Sequence, residues 1–351
     1  MRISLRLCLS LAILVSWVLV RAQVSTLEGS PRDRLDALYG LTDLERPGLT
    51  PWHMNISFQL YDLYGKPTEK GTIEEWWLKP GLRKIVVTSP SFNEIVPAPA
   101  GAPQPVSSRE AVLVYLLLSD IVQPVRQLPG LQSIPVDTVQ RKFGQLKAEC
   151  LEIGNNSKAQ IEHGETRSIG YCLDPSSGQL RLRLSDVAES VVRNRPGHFQ
   201  HTDVAVDTSI TYNDRPAISG HINTLESIDP SSVSITAATA SNVQIVPNLA
   251  LASNLIHKVS ATYPKLVGDR RRSGPVVLAV RISISGDVTA TEVIATPDPA
   301  FSNAAVNAVR QWKYQPYDVD GKLAEVTSLV TINFLPSNNR GNLGAFLPPS
   351  N

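Results

Sequence analysis

Residues 276–284 read VVLAVRISI, and every second residue of this stretch is apolar. The apolar positions are Val276, Leu278, Val280, Ile282 and Ile284. Such alternation is the pattern of a strand with one face against a core. The residues Ser-Gly-Asp at 285–287 favour a hairpin turn, so residues 288–294 are predicted to return as a second strand.

After this hairpin the apolar residues change from strand spacing to helical spacing. They run from Phe301 to Trp312, and Pro316 ends the pattern. Alternation returns at residues 326–334, which predicts a final strand. With a further helix predicted at 250–261, a C-terminal domain at 250–335 has the order α-β-β-α-β. Residues 336–351 are expected to form a flexible tail.

The preceding part of the chain is predicted to be an antiparallel β meander or half-barrel. Short alternating stretches at 52–61, 72–78 and 85–88 are separated by Gly and Pro turns. A helix is predicted after Ser107, which has capping-box spacing to Glu110, and a second short helix at 136–146. The chain is therefore expected to be of the α+β class. A β-rich domain is placed at 51–230, a linker or edge strand at 231–249, and a loosely held arm with one short helix at 23–50.

The first 22 residues have the features of a secretion signal. Arg2 and Arg6 precede an apolar run at 7–20, which is shorter than the ~20 residues of a membrane span. Small residues at Val20 and Ala22 fit a cleavage site. Export to the periplasm with cleavage after Ala22 is expected, and the alternative is an uncleaved anchor in the inner membrane.

Cleavage would leave two cysteines, Cys150 and Cys172. Exported chains meet oxidising conditions, in which disulfides form and persist. We therefore predict a disulfide between them, with two buried thiols as the alternative.

The charge balance excludes some functional classes. The 33 Lys and Arg nearly equal the 32 Asp and Glu, which argues against a basic nucleic-acid-binding protein. His198 and His201 lie near Asp203, but this is a smaller and less regular set than zinc sites use. The sequence shows no Gly-rich phosphate loop and no nucleophile elbow. No cofactor, no metal and no enzymatic activity are therefore expected.

The C-terminal residues, taken in order, resemble the TonB C-terminal domain family. The shared features are Tyr263-Pro264, Gly274, the strand 276–284, Gly286, the helix 304–312, Lys313-Tyr314-Gln315-Pro316, Gly321 and the strand 326–334. They cover roughly residues 250–335, and the ordered set is more specific than any one member. The resemblance implies a periplasmic protein that grips a short peptide of an outer-membrane receptor.

The final strand is the expected binding element. It is the last strand of a small sheet, and an edge without a neighbour can accept an extended peptide. The candidate site residues are Val326, Thr327, Ser328, Leu329, Val330, Thr331, Ile332, Asn333 and Phe334. The tail or a second copy of the domain could cover the same edge, which leaves a homodimer open. Trp312 is expected to be a buried core residue.

Two departures from this family favour an adaptor over an energised transducer. Residues 7–20 contain no His, and a folded domain stands where the family has a long Pro-rich spacer. The strands and turns after residue 52 also faintly resemble the half-barrels that carry lipoproteins through the periplasm. This second resemblance implies an alternative function, in which the first domain holds a lipid or acyl chain and the C-terminal domain is a docking module.

Overall fold

The computed structural model describes most of the chain. The described residues are 27–98, 108–125, 133–144, 146–154, 168–185, 188–235, 243–245, 251, 254–265, 272–319 and 322–335. The predicted signal at 1–22 and tail at 336–351 lie outside them. Within the described part, no helix is long and apolar enough to cross a membrane.

The first domain is built on one antiparallel sheet of eleven strands. Strands β1 to β4 are Trp52–Tyr61, Pro67–Lys79, Leu82–Thr88 and Asn93–Ala98. Strands β5 to β11 are Val136–Phe143, Leu146–Gly154, Ser168–Leu173, Leu180–Leu184, Glu189–Phe199, Thr202–Tyr212 and Arg215–Ser227. Their order in the sheet is β4-β3-β2-β1-β11-β10-β9-β8-β7-β6-β5. The sheet thus consists of two meanders, β1 to β4 and β5 to β11, which are joined where β1 pairs with β11. It agrees with the predicted α+β class.

Helix α1 (Pro31–Thr42) corrects the prediction of a loosely held arm. Ser30 and Asp33 form a capping box at its start, and Leu35 and Leu38 are buried. The following loop is fixed as well, because the Trp52 indole N–H donates to the Leu44 carbonyl at 2.8 Å. The segment is thus part of the first domain from residue 27 onward.

Helix α2 (Arg109–Val122) packs on the middle of the large sheet, against β10 and β11. It is capped by Ser108, whose hydroxyl accepts from the Ala111 N–H at 3.1 Å, and not by the predicted Ser107. Its apolar residues join the strands in one buried cluster. Packing is tight at β11, where a Cβ on Gly220 would lie 2.8 Å from the Leu117 side chain.

The helix predicted at 136–146 is wrong. Residues 136–143 form β5, which pairs with β6 from Val136 opposite Ile153 to Phe143 opposite Leu146. Gly144 adopts a φ of +60° in the turn between them. The helical spacing of the apolar residues was overridden by pairing with a strand that the chain itself supplies directly afterwards.

The C-terminal domain contains a sheet of four strands in a row, and three shorter strands pair outside that row. Strands β12 to β15 are Val243–Ile245, Leu255–His257, Gly274–Ile282 and Val288–Ala295, helix α3 is Pro299–Val309, and β16 to β18 are Lys313–Tyr314, Tyr317–Val319 and Lys322–Phe334. The sheet order is β12-β18-β14-β15. The predicted helix at 250–261 is wrong over 255–257, because Leu255 pairs with Tyr314 as part of β13. The segment predicted as a linker or edge strand at 231–249 contains β12, which pairs with β18.

The two domains share one core through α2. Val277, Ala279, Ile294 and Ala295 of the C-terminal sheet belong to the same buried cluster as the apolar residues of α2. Arg109 at the start of α2 donates to the Ile294 carbonyl at 2.9 Å and to the Tyr61 carbonyl at 2.6 Å. The helix therefore lies between the two sheets and contacts both.

Candidate peptide-binding edge

Strand β18 is covered along one side and only partly along the other. Its partner β14 runs beside it from Val326 opposite Ile282 to Phe334 opposite Gly274. On the other side, β12 pairs with residues 325–327. Strand β17 pairs with residues 322–324, beyond the part of β18 that pairs with β14. Among the described residues, no strand lies beside 328–334 on that side. The structure thus places Val326 and Thr327 under β12 and leaves the remaining seven predicted site residues at an open edge.

The direction of the backbone groups in β18 follows from Pro275. Pro275 lies opposite Asn333, it has no N–H, and its carbonyl accepts from the Asn213 side-chain amide at 3.0 Å. Its backbone groups therefore point away from β18. Antiparallel pairs alternate between those that exchange hydrogen bonds and those whose groups point outward. Because this register has no shift, Leu329, Thr331 and Asn333 direct their N–H and C=O groups to the open side.

The two faces of β18 meet different surroundings. Val326, Val330 and Phe334 are buried in the core of the C-terminal domain. On the opposite face, Leu329 packs against the cluster that contains α2. The side chain of Leu329, one of the predicted site residues, is therefore not free to contact a partner, because the first domain covers the back of the small sheet. Asn333 is exposed and Thr331 is half-buried.

An aromatic group holds the open end of β18. The rings of Phe301 and Phe334 stack with centroids 4.5 Å apart, and Tyr263 meets both edge-on at 5.3 and 6.3 Å. The Tyr263 hydroxyl donates to the Arg272 carbonyl at 2.6 Å. The strand end is therefore fixed from the helix side, which leaves its outer backbone groups available.

Trp312 is a core residue, as predicted. It is 6% exposed and belongs to the same cluster as Val280 and Ile282. Its indole N–H donates to the Val259 carbonyl at 2.9 Å. The residue follows α3 instead of ending it, because the helix stops at Val309.

The hairpin predicted at 285–287 is present and needs its glycine. Gly286 has a φ of +85°, and a Cβ there would lie 1.9 Å from the Tyr314 carbonyl oxygen. Its own carbonyl accepts from the Tyr314 N–H at 2.9 Å. The turn is thus bonded to β16, which fixes the end of the sheet away from the aromatic group.

The other sequence candidates fall elsewhere. Cys150 and Cys172 lie opposite each other on β6 and β7 and are joined by a disulfide. The His198 Nδ1 lies 2.8 Å from an Asp203 carboxylate oxygen, with the imidazole 70% exposed. Among the described residues, no group of three or more His, Cys, Asp or Glu side chains is arranged to hold a metal ion.

Sequence reasoning missed a buried charge cluster beneath the sheet. Glu75 is fully buried and Glu45 nearly so, and both contact Arg83, at 3.3 and 2.7 Å. Burial, together with the nearby Glu45 carboxylate, raises the pKa of Glu75 to about 7 against the opposing effect of Arg83. Glu75 alternates with Ile73 and Trp77 along β2, so the two-residue period of the strand could have predicted that Glu75 is buried.

The face of the large sheet that carries α2 is filled around that helix, where the structure describes it. Residues of α2 occupy it together with a buried ion network. Arg183 binds the Asp120 carboxylate through two bonds of 2.9 and 2.8 Å and reaches Glu189 at 2.8 Å. An acyl chain could lie on this face only if α2 moved away.

Comparisons with known proteins bear mainly on the C-terminal domain. Residues 259–336 match the family model for the Gram-negative bacterial TonB protein C-terminal domain. This confirms the resemblance on which the edge strand was chosen, over less than a quarter of the chain. None of the curated proteins matches the sequence.

Solved structures similar to this chain correspond to little more than half of it. A LolA superfamily protein from Nitrosomonas europaea is 6% identical, with coverage of 57% of this chain and 97% of its own and a TM-score of 0.34. An outer membrane lipoprotein-sorting protein domain from Vibrio parahaemolyticus is 7% identical, with coverage of 57% and 94% and the same TM-score. A DUF1329 family protein from Desulfovibrio piger is 8% identical, with coverage of 58% and 92% and a TM-score of 0.31. At such TM-scores too little geometry is shared for a function to be carried across.

Proposed function

We propose that this chain is an exported, non-catalytic binding protein that adds an extended segment of a partner protein to the open edge of β18. The observation that carries the proposal is that, among the described residues, no strand pairs with residues 328–334 on the side opposite β14. The match of residues 259–336 to the TonB C-terminal family model supports it. An outer-membrane receptor peptide is the partner that this resemblance implies, and the periplasm is the compartment.

The open edge sets the size of the partner segment. Leu329, Thr331 and Asn333 each offer one N–H and one C=O, so a paired strand can form up to about six main-chain hydrogen bonds. β12 ends the free edge at Thr327. Paired strands match residue for residue, so a bound segment is expected to span about five to seven residues. Main-chain bonds give affinity in this mode, and alternate side chains give selectivity.

Proline at Thr331 tests the proposal in the mature full-length chain. Thr331→Pro removes one outward N–H, so binding of receptor-derived peptides is expected to weaken about tenfold or more while the fold persists, since proline is tolerated at edge strands. The matched control is Ile332→Pro, which removes an N–H directed at Val276 of β14 and is expected to lower the melting temperature. Circular dichroism and peptide titration monitored by isotope-edited spectra are the measurements.

Three results would count against this function. The first is that Thr331→Pro binds every peptide as wild type does. The second is that Thr331→Pro unfolds like Ile332→Pro, because that result would reverse the assigned direction of the N–H groups. The peptides could also shift only residues away from β18. A concentration-dependent dimer that buries this edge would make a second copy of the chain its partner instead.

The lipid-carrier alternative has less support. It requires an apolar space in the first domain, and α2 packs on one face of its sheet in the described residues. We therefore assign the first domain to supporting the C-terminal sheet, which it covers from behind.

A further inference from the structure

A short loop between α1 and β1, residues 43–46, ties the end of α2 to the large sheet. The Leu44 N–H donates to the carbonyl of Val122, the last residue of α2, at 3.0 Å. The Leu44 carbonyl accepts from the Trp52 indole N–H of β1 at 2.8 Å. The 43–46 loop therefore lies between the C-terminal end of α2 and the first strand and is bonded to both.

The same loop carries one of two buried carboxylates that share a single guanidinium. The Oε1 atoms of Glu45, in the loop, and Glu75, on β2, lie 2.7 and 3.3 Å from the same nitrogen, Nη1 of Arg83. Among the described residues, no second cation contacts either carboxylate. The cluster thus holds one positive charge and up to two negative charges. Two ionised carboxylates this close repel each other, which favours a proton on one of them.

The surroundings of the cluster do not balance the second negative charge. Apolar side chains stand directly opposite Glu75 on both neighbouring strands, Met54 on β1 and Ile85 on β3. Arg46, the cation of the loop itself, donates to backbone carbonyls instead, at 3.0 Å to Gly40. The other titratable groups around the cluster are Tyr39 of α1, Asp43 of the loop, Glu94 of β4 and Tyr115 of α2. None of these four groups supplies a positive charge.

Hydrogen bonds do not compensate for the buried charge either. The buried atoms Glu75 Oε2, Arg83 Nε and Trp77 Nε1 have no hydrogen-bond partner among the described residues, and Trp77 lies opposite Arg83 in the sheet. A neutral carboxyl group tolerates such surroundings better than a carboxylate does, and burial raises the pKa of Glu75 accordingly. The closed position of the 43–46 loop is therefore favoured when Glu75 is protonated and disfavoured when it is ionised.

We propose that Glu75 and Glu45 make the 43–46 loop a pH-sensitive latch on α2. While Glu75 is protonated, Glu45 pairs with Arg83 and the loop stays closed. When Glu75 releases its proton to solvent, the repulsion between the two carboxylates moves Glu45 and the loop away from β2, and α2 loses its bond to Leu44. The latch opens as the pH rises and frees the C-terminal end of α2 to leave the sheet. This inference does not rest on the function proposed for β18.

Hydrogen exchange of two indole N–H groups, followed by NMR, tests the latch in the mature full-length protein. The Trp52 N–H is bonded to Leu44 in the loop, and the Trp312 N–H is bonded to Val259 in the C-terminal domain. After correction for intrinsic exchange, the protection of Trp52 is expected to fall about tenfold per pH unit from about pH 5 to 7, because opening releases one proton. Low urea concentrations are expected to leave it unchanged, since a local opening exposes little surface.

Variants identify the proton. In Glu75→Gln the pH dependence of Trp52 protection is expected to flatten to about twofold or less per pH unit, because the remaining carboxylate has the guanidinium to itself. Glu45→Gln is expected to flatten it for the same reason, and it decides the matter if Glu75→Gln does not fold. Glu74→Gln, on the other face of β2 beside His53, is the control and is expected to behave as wild type does. Parallel loss of Trp52 and Trp312 protection with pH and urea, or a wild-type pH dependence in the two cluster variants, would overturn the proposal.

Discussion

Trp312 shows at the residue scale how one side chain holds the C-terminal domain. It is buried beside Val280 and Ile282, and its N–H is bonded to Val259. Trp312→Ala is expected to lower the free energy of unfolding by about 3–5 kcal/mol, the usual cost of truncating a buried aromatic residue. Chemical denaturation measures this loss. The exposed Tyr64→Ala variant is the control, and an unchanged stability in Trp312→Ala would mean that the indole is not packed as described.

Glu75 predicts a pH dependence with a defined sign. Its pKa is about 7 in the folded chain, mainly because of burial, and 4.5 is its ordinary value. The folded state therefore binds the proton more tightly. The contribution of Glu75 to stability is greatest below pH 4.5 and is lost as the pH rises to about 7. At 1.36 kcal/mol per pKa unit, the full loss is on the order of 3 kcal/mol.

Glu75→Gln removes this titrating group. The free energy of unfolding of the variant is expected to fall less between pH 4.5 and 7 than that of the wild type, although Glu45 still titrates with a raised pKa. Glu74→Gln, on the partly exposed face of the same strand, is the control. Equal slopes in Glu75→Gln and wild type would show that Glu75 does not hold the proton.

At the scale of the element, the disulfide fixes the β6–β7 hairpin. Cys150 and Cys172 are separated by 22 residues in sequence. Replacing both by alanine is expected to cost about 2–4 kcal/mol, because the cross-link restricts the unfolded chain. A thiol assay of the denatured, unreduced mature protein is expected to find no free thiol. Two free thiols per chain would show that the exported protein lacks this disulfide.

At the scale of the whole molecule, Arg109 joins the two domains. Its side chain donates to a carbonyl of each, and hydrogen bonds from charged groups are worth about 1.5–3 kcal/mol. Arg109→Met keeps the apolar stem and loses the donors. The wild type is expected to unfold in one transition, and the two domains of the variant are expected to unfold at separate temperatures. Arg310→Met, which loses one exposed contact to Thr291, is the control. A single transition in Arg109→Met would mean that the remaining contacts, the shared apolar core and the Asn213 bond to the Pro275 carbonyl, are enough to couple the domains.

The sequence by itself determined the features that repeat over short distances. The strands at 276–282 and 326–334, the turn at Gly286 and the buried position of Trp312 follow from local spacing, because strand and helix faces have fixed periods. The predicted first strand is two residues too long, since β14 ends at Ile282 and Ile284 is exposed. The TonB-like C-terminal segment was predicted from a resemblance of its ordered residues to that family, and the two cysteines were paired because an exported chain retains only these two.

Only the tertiary structure decided which strands lie side by side. The pairing of β1 with β11, the addition of β12 to β18 and the burial of α2 between two sheets involve residues far apart in the chain, and no local period marks them. The strands at 136–143 and 255–257 were missed because their partners, not their own residues, impose the extended form. Which backbone groups of β18 face outward depends on its register with β14, and a shift of one residue would reverse them.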